Sequence, residues 1–181
     1  MNSFATYSEL IQRGQGIDRV RVLKFAAASE GKNLFLSHSS ADNAYLPGVM
    51  SVLQDHGGSI YIDRQDGRLP EIPSPETAEI LRSAVAACPR FVLFVTPNSR
   101  TSVWIPWELG LADGERGLGR IALFPAAQTI LEQTWAETEY LGLYRRIVFG
   151  PLGDNPNPQW FVLDHRKNLG KALAPWIAEG W

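Results

Sequence analysis

Residues 91–95 are five consecutive apolar residues, and a strand with this pattern has no side chain suited to face water. Strands with one solvent-facing side alternate apolar and polar residues, because successive side chains point to opposite faces. A short, continuously apolar strand is typical of a parallel sheet that helices cover on both faces. The run therefore predicts a central strand of an α/β domain.

Other short apolar runs occur before and after this strand, separated by amphipathic segments. The predicted strands are residues 34–36, 60–62, 91–95, 121–124 and 147–149. The predicted helices are residues 42–56, with Asp42 or Asn43 as N-cap, a helix that starts at residues 74–76, and residues 104–113. Strands that alternate with helices predict crossover connections. We therefore expect an α/β fold with a central parallel sheet of about five strands and helices on both faces.

The segments that flank this core have weaker patterns. Residues 1–31 carry Ile17, Val20, Leu23 and Phe25 at roughly helical spacing, which predicts a helical lead-in, although residues 20–23 also fit a strand. Residues 32–181 are predicted to form one domain. Its C-terminal part is predicted as a loop at residues 150–158, a short edge element at residues 160–163 and a final helix over about residues 167–179.

The composition argues against several classes of function. Lys and Arg number 17 against 19 Asp and Glu, so the net charge is −2 and there is no strong basic field for nucleic acid. The single cysteine, Cys88, excludes an internal disulfide, and the three histidines are too scattered to predict a metal site. No signal peptide and no bilayer-spanning apolar run are visible. We therefore expect a cytoplasmic protein that binds neither nucleic acid nor membrane.

Ligands of open parallel sheets bind beyond the carboxyl ends of the strands, so the loops after residues 36, 62 and 95 are the candidate sites. The first loop contains Ser37, His38, Ser39 and Asp42. Its hydroxyl groups and free amides are suited to hold a phosphate or ribose hydroxyls, whereas the alternative is that they only cap the next helix. A serine hydrolase is not indicated, because Ser37 and His38 are adjacent and should point to opposite faces.

The loop at residues 63–73 follows the second predicted strand, is charged and contains two prolines. Loops of this length often act as lids or binding surfaces, although a solvated connector is an equal alternative. Asp63 and Arg68 are its candidate binding residues.

A third candidate is the predicted helix at residues 104–113. Trp104 and Glu108 are four residues apart and share one helix face. Pro106 fits only the first turn, so the helix should begin near Val103 or later, with Glu108 near the positive end of the helix dipole. A carboxylate held charged beside an indole is costly if solvent is excluded, which makes Glu108 a candidate catalytic group. The alternative is a surface glutamate beside a core tryptophan.

Together these stretches resemble a bacterial Toll/interleukin-1 receptor (TIR) domain over roughly residues 33–149. The residues FLSHSSAD (35–42) resemble the family's first strand and following loop, and IYID (60–63) resembles its second strand at the start of the BB loop. FVLFV and TPNS (91–99) resemble its third strand and exit, and SVWIPWEL (102–109) resembles the helix with the Trp-x-x-x-Glu motif. The resemblance implies a flavodoxin-like TIR fold.

The resemblance also assigns roles to individual residues. In the NAD-consuming members of the family the glutamate of the Trp-x-x-x-Glu motif is catalytic, and here that position is Glu108. The first-strand loop and the BB loop surround the substrate in such members, and the tryptophan packs beside the site. The residues implied to contact or border the substrate are Ser37, His38, Ser39, Asp63, Arg68 and Trp104. Where some NAD-cleaving relatives have arginines after the first strand, this chain has Ser39 and Ser40.

The chemistry of NAD is compatible with a single carboxylate. Nicotinamide is cationic on the ribose and leaves as a neutral molecule, so the general acid that glycosidases need is not required. The carboxylate then stabilises an oxocarbenium-like ribose. The resemblance thus implies an NAD glycohydrolase or ADP-ribosyl cyclase that cleaves the nicotinamide–ribose bond and needs no cofactor besides its substrate NAD.

The sequence leaves the product and the partners open. Hydrolysis, cyclisation and transfer of ADP-ribose to another acceptor all follow the same bond cleavage. The resemblance to the TIR component of Thoeris antiphage defence implies a signalling product that acts on an effector protein, and a homo-oligomer formed through TIR–TIR contacts. The alternative is a TIR scaffold or adaptor that binds partner TIR domains and has no catalytic activity.

Overall fold

The computed structural model describes residues 2–17, 31–62, 75–102, 104–131 and 139–181. Its helices are α1 (Tyr7–Gly14), α2 (Leu46–Asp55), α3 (Pro75–Ala87), α4 (Trp104–Arg116) and α5 (Leu173–Glu179). Its strands are β1 (Ala5–Thr6), β2 (Leu34–Ser37), β3 (Ile60–Tyr61), β4 (Arg90–Val95), β5 (Ile121–Ala127), β6 (Arg145–Leu152), β7 (Asn155–Asp164) and β8 (Leu169–Ala172). The predicted α/β class is confirmed. Among the described helices, none is long and apolar enough to cross a bilayer.

Within these ranges the eight strands form one sheet in the order β3-β2-β4-β5-β6-β7-β8, with β1 paired to β5. The pairs from β3 to β6 are parallel, as is the pair of β1 with β5, whereas β7 and β8 are antiparallel additions. The sheet is therefore larger than the five parallel strands expected from the sequence. It gains a two-residue N-terminal strand and a C-terminal antiparallel extension.

The N-terminal segment enters the sheet between β5 and β6. β1 pairs with the end of β5, and Ser3 forms a bridge with Phe149 of β6. Thr6 and Glu9 then form a capping box that starts α1. The helix expected around residues 17–25 falls almost entirely on residues 18–30, which lie outside the described residues. The predicted boundary at residue 31 stays a prediction.

The helices divide the core into two layers, one on each face of the sheet. α1, α2 and α5 cover one face, where Leu10, Val49 and Trp176 belong to the same buried cluster as Phe94 and Phe124 of the strands. α3 and α4 cover the other face. The buried residues of that second layer include Phe35, Leu81, Val85, Phe91, Leu93, Ile105 and Leu109. Every residue of β4 is buried, as its continuous apolar run predicts.

The C-terminal third corrects three expectations. Residues 150–158, predicted as a loop, continue β6 and β7 into a hairpin whose two-residue turn is Gly153 and Asp154. Residues 160–163, predicted as an edge element, lie in β7 between β6 and β8. β8 occupies the start of the helix predicted at 167–179, so α5 begins only at Leu173. The hydrophobic pattern missed the hairpin because its outer part is exposed on both faces and so lacks alternation.

Candidate active site

The loops after β2 and β4 meet α4 at one edge of the sheet. A 3-10 turn, Ser40–Asp42, follows β2 after two residues. Thr96 and a second 3-10 turn, Pro97–Thr101, follow β4 and lead to α4. The two strands are parallel neighbours, so both loops lie at the carboxyl edge, where ligands of such sheets bind.

Glu108 is buried on α4 and its carboxylate reaches the end of β2. The Ser37 hydroxyl donates a hydrogen bond to Glu108 Oε2 at 2.6 Å, a distance typical of a hydroxyl bound to a charged carboxylate. Only 3% of Glu108 and none of Ser37 is exposed. Burial of a carboxylate is costly unless hydrogen bonds compensate, so the bond from Ser37 fixes the position of the charge. The structure thus brings together two residues that are 71 positions apart in the sequence.

The start of α4 explains why Glu108 faces this edge. α4 begins at Trp104, and Pro106 is its third residue, where an amide hydrogen has no helical acceptor. The Ser102 hydroxyl accepts the amide of Ile105 at 3.3 Å and satisfies one of the other free donors. Glu108 is the fifth residue of α4, just beyond the first turn in which the helix dipole acts most strongly. The Ser37 hydroxyl is therefore its nearer stabilising group.

Trp104 packs on the same side of the sheet as Glu108. It is half-buried against the core layer formed by α3, α4 and the strands. Its ring meets the Trp107 ring edge-on, with the centroids 5.7 Å apart, and the Arg82 guanidinium carbon lies 5.8 Å from the Trp107 centroid. Trp104 therefore packs between α4 and the core, and its predicted place beside the substrate stays a prediction.

His38 and Ser39 are buried and help to shape the loop after β2. His38 Nε2 lies 3.1 Å from Asn43 Oδ1, and the Ser39 carbonyl accepts the amide of Asp42 at 2.9 Å. Ser37 and His38 thus have different partners, because adjacent residues at a strand end point to opposite faces. The two side chains do not form a nucleophile–base pair.

Asp42 is not the helix cap that the sequence suggested. α2 begins after Tyr45, with no side-chain bond at its N-cap, so the prediction of an N-cap at Asp42 or Asn43 is wrong. Asp42 is instead fully buried and accepts hydrogen bonds from Thr96 Oγ1 and Asn98 Nδ2, each at 2.7 Å. These buried donors satisfy the carboxylate, and they come from 54 and 56 residues later. No local pattern reveals such partners.

The remaining candidates from the sequence, Asp63 and Arg68, lie in residues 63–74, outside the described residues. Their assignment to the site stays a prediction. A cavity of about 450 Å³ lies elsewhere, between α1 and the β6–β7 hairpin, with Arg13, Phe149 and Trp160 among its lining residues. None of its lining residues belongs to the loops after β2 and β4 or to α4, so this cavity is separate from Glu108.

The arrangement offers one fixed carboxylate beside hydroxyl groups at the ligand-binding edge. Both oxygens of Asp42 accept bonds from the loop after β4, which gives that carboxylate a structural role. Of the two carboxylates that the described residues place at this edge, Glu108 lies on α4 and is bound by the Ser37 hydroxyl, which makes it the candidate for chemistry. A negative charge held where water is scarce stabilises a developing cation more strongly than the same charge in bulk water.

The family model of the TIR domain matches residues 34–148, which is more than half of the chain. The chain belongs to the TIR domain family. The match begins at β2 and contains Ser37, Asp42 and Glu108, so the candidate site lies wholly within the TIR domain.

The similarity to one known protein extends beyond this segment. The chain is 28% identical over 172 residues to a protein of Bacillus cereus (strain MSX-D12) named "Probable 3' cyclic ADP-D-ribose synthase ThsB'". The aligned region covers 92% of this chain and 88% of the relative. The sheet additions outside residues 34–148 therefore fall largely within a region of similarity as well.

Proposed function

We propose that this TIR domain cleaves the nicotinamide–ribose bond of NAD, with Glu108 as the catalytic carboxylate and an ADP-ribose-derived signal as the product. The observation that carries the proposal is the buried Glu108 at the carboxyl edge, fixed by the Ser37 hydroxyl at 2.6 Å. Membership of the TIR family supports it. The name of the Bacillus relative, a cyclic ADP-D-ribose synthase, supports an ADP-ribose donor as substrate and a cyclic product.

The bond cleavage needs charge stabilisation rather than proton donation. The nicotinamide ring of NAD is cationic and departs neutral, taking the electron pair of the carbon–nitrogen bond, so no general acid is required. Positive charge then develops on the ribose. The Glu108 carboxylate stabilises that charge electrostatically, and it does so more in the transition state than in the ground state, which is the condition for catalysis.

The product depends on the nucleophile that next reaches the ribose carbon. Attack by water gives ADP-ribose and releases a proton. Attack by a nucleophilic atom of the same ADP-ribosyl group gives cyclic ADP-ribose, releases a proton and consumes no water. Cyclisation therefore requires that the site exclude water while the ribose is reactive. We propose a cyclic ADP-ribose as the product of this chain.

The direct test is nicotinamide release from NAD by the purified full chain, measured by chromatography for the wild type and for Glu108→Gln. Glutamine retains an oxygen that accepts the Ser37 hydrogen bond but removes the charge. We expect the rate to fall by about 100-fold or more, as for the loss of one preorganised electrostatic group. Mass spectrometry identifies the product, because cyclic ADP-ribose is lighter than ADP-ribose by one water.

The matched control is Glu115→Gln, on the exposed side of the same helix. It makes the same chemical change outside the site, so its rate should equal that of the wild type. Equal rates for Glu108→Gln and the wild type would remove Glu108 from the mechanism. Absence of nicotinamide release from the wild type at high protein concentration would instead favour the scaffold alternative.

The contacts of the substrate and the assembly of the chain are further parts of this proposal. We propose that Ser37, His38 and Ser39 border the substrate, with Trp104 packed beside the site. Copies are proposed to associate through TIR–TIR contacts, and the product is proposed to act on an effector protein. Light scattering across a range of protein concentrations, paired with specific activity at each, tests the association. A specific activity that stays constant while the protein remains monomeric would contradict it.

A further inference from the structure

Asp42 connects the two loops that form the edge of the candidate site. It lies on the turn Ser40–Asp42, five residues after Ser37, and has no exposed surface. Its Oδ2 accepts the Thr96 hydroxyl and its Oδ1 accepts the Asn98 side-chain amide, each at 2.7 Å. A buried carboxylate with a donor on each oxygen forms a strong connection, because either donor would lose its bond if the loops separated.

The loop that supplies these donors is itself fastened to the sheet. The Thr96 hydroxyl, besides donating to Asp42, accepts the amide of Asn98 at 3.0 Å. The Ser99 hydroxyl accepts the amide of Thr96 at 3.1 Å and donates to the carbonyl of Phe94 in β4 at 3.2 Å. Asp42 is thus bound to a rigid extension of the central strand. This extension leads within a few residues to α4.

Among the described residues, two contacts therefore join β2 and its loop to the elements after β4: the Asp42 carboxylate with Thr96 and Asn98 of the loop, and the Ser37 hydroxyl with Glu108 of α4. We propose that Asp42 is a positioning residue, which holds the end of β2 against the loop after β4 so that the Ser37 hydroxyl stays at the Glu108 carboxylate. The kinetic consequence of this role rests on the function proposed above. The geometric consequence, the state of the Ser37–Glu108 bond, does not.

Two substitutions weaken the connection without touching Ser37 or Glu108. Asp42→Ala removes both acceptors. Thr96→Val removes one donor, keeps the shape of the side chain and is the milder change. Thr96→Ser retains the hydroxyl and should behave as the wild type. Asp164→Ala is the control, because Asp164 is also a buried carboxylate but pairs with Arg145 at 3.1 Å, near the amino end of β6 and away from the site.

The first readout is the carbon-13 NMR signal of the Glu108 carboxyl group, identified by its loss in Glu108→Gln. We expect Asp42→Ala and Thr96→Val to move this signal in the direction that Ser37→Ala moves it. Asp164→Ala and Thr96→Ser should leave it in place. If both Asp42→Ala and Thr96→Val leave the Glu108 signal at its wild-type position, the positioning role is refuted, whatever their stability. If Asp42→Ala does not fold, Thr96→Val decides.

The second readout is the kinetics of nicotinamide release, measured well below the unfolding temperature of each variant. Misplacement of a reacting group by about 1 Å can cost about 100-fold in rate, so kcat should fall by about 10- to 100-fold with KM changed much less. Thr96→Ser, which retains the hydroxyl, should have the kcat of the wild type. A wild type that releases no nicotinamide contradicts the proposed function alone, since the Glu108 signal still decides the role of Asp42. Unchanged kcat in an active enzyme contradicts the positioning role.

Discussion

Gly48 marks the closest approach of α1 to α2, and its replacement by alanine tests how rigidly the N-terminal segment is docked. An alanine Cβ at this position would overlap the carbonyl oxygen of Leu10 and lie 2.6 Å from its carbonyl carbon and 2.7 Å from its Cα. All three are backbone atoms, so no change of side-chain rotamer relieves the overlap. The two helices would have to move apart by about 1 Å to reach ordinary contact distances.

Two opposing effects set the size of the change. Alanine is favoured over glycine in a helix by about 0.5–1 kcal/mol. Overpacking costs about 1–3 kcal/mol, and an obstacle made of backbone places Gly48 at the upper end of this range. The separation would also loosen Leu10, which is 1% exposed, and the Tyr7–Tyr45 ring contact at 4.8 Å. We expect a net loss of about 2 kcal/mol, or about 4–8 °C in Tm for a chain of this size.

Gly110→Ala is the matched control, because α4 leaves open space there. Among the described residues, no heavy atom beyond the helix's own backbone lies within 4 Å of an added Cβ at Gly110, so only the helix preference remains and stability should rise by about 0.5–1 kcal/mol. Urea unfolding followed by tryptophan fluorescence measures both variants against the wild type. The two midpoints should move in opposite directions. A Gly48→Ala variant as stable as the wild type would show that α1 is not docked as described.

The other predictions concern single contacts. Ser37→Ala should slow nicotinamide release by about 10-fold or more, since hydrogen bonds to charged groups contribute about 1.5–3 kcal/mol, and an unchanged rate would mean that Glu108 does not need the bond. Burial, followed by two neighbouring arginines, lowers the pKa of His165 below its ordinary 6.5. Below pH 6.5 His165 is therefore protonated more readily in the unfolded chain than in the folded chain, so stability should fall as the pH drops. In His165→Asn the midpoint of urea unfolding should depend less on pH across that range. Trp181→Ala removes a ring 4.2 Å from the Arg145 guanidinium and should cost about 1 kcal/mol in the same unfolding assay.

The sequence predicted those parts of the fold that short-range patterns determine. The apolar run of β4 required cover on both faces, and α3 and α4 on one side with α1, α2 and α5 on the other supply it. Pro106 placed the start of α4 correctly at Trp104, because the constraint on proline is local. Parallel pairing then forces the loops after β2 and β4 to the same edge. That the Ser37 loop and Glu108 border one site was implied by the resemblance to the TIR family, and parallel pairing is consistent with it.

The parts that the sequence did not predict depend on distant partners or on exposed backbone. The β6–β7 hairpin extends beyond the core, so residues 155–158 are exposed on both faces and give no periodic signal. A usable signal was present in Gly153-Asp154, a pair typical of two-residue hairpin turns, and Gly153 has the positive φ of 59° that such a turn requires. The residues around Asp42 predicted that it caps the next helix, and this prediction is wrong. Its partners are 54 and 56 residues away.

The distribution of buried polar groups links the fold to the proposed chemistry. In the part of the chain that the structure describes, twelve polar residues are buried, and seven of them lie at the carboxyl ends of β2 and β4, in the loops that follow, or on α4. These seven are Ser37, His38, Ser39, Asp42, Thr96, Ser99 and Glu108. Burying apolar residues costs less free energy than burying polar ones. A cluster of buried polar residues is therefore expected where function opposes stability.

The buried charges at the opposite edge have a different explanation. Arg90 donates to the carbonyl of Trp176 at 2.9 Å, and Asp164 pairs with Arg145, so both attach one element of the fold to another. Asp42 likewise attaches one part of the fold to another, since protein donors bind both of its oxygens. Glu108 lies on α4, which follows the loop that Asp42 binds, at the edge where a ligand would bind. The reaction proposed above, in which a neighbouring sugar becomes positive, would account for the cost of burying its charge.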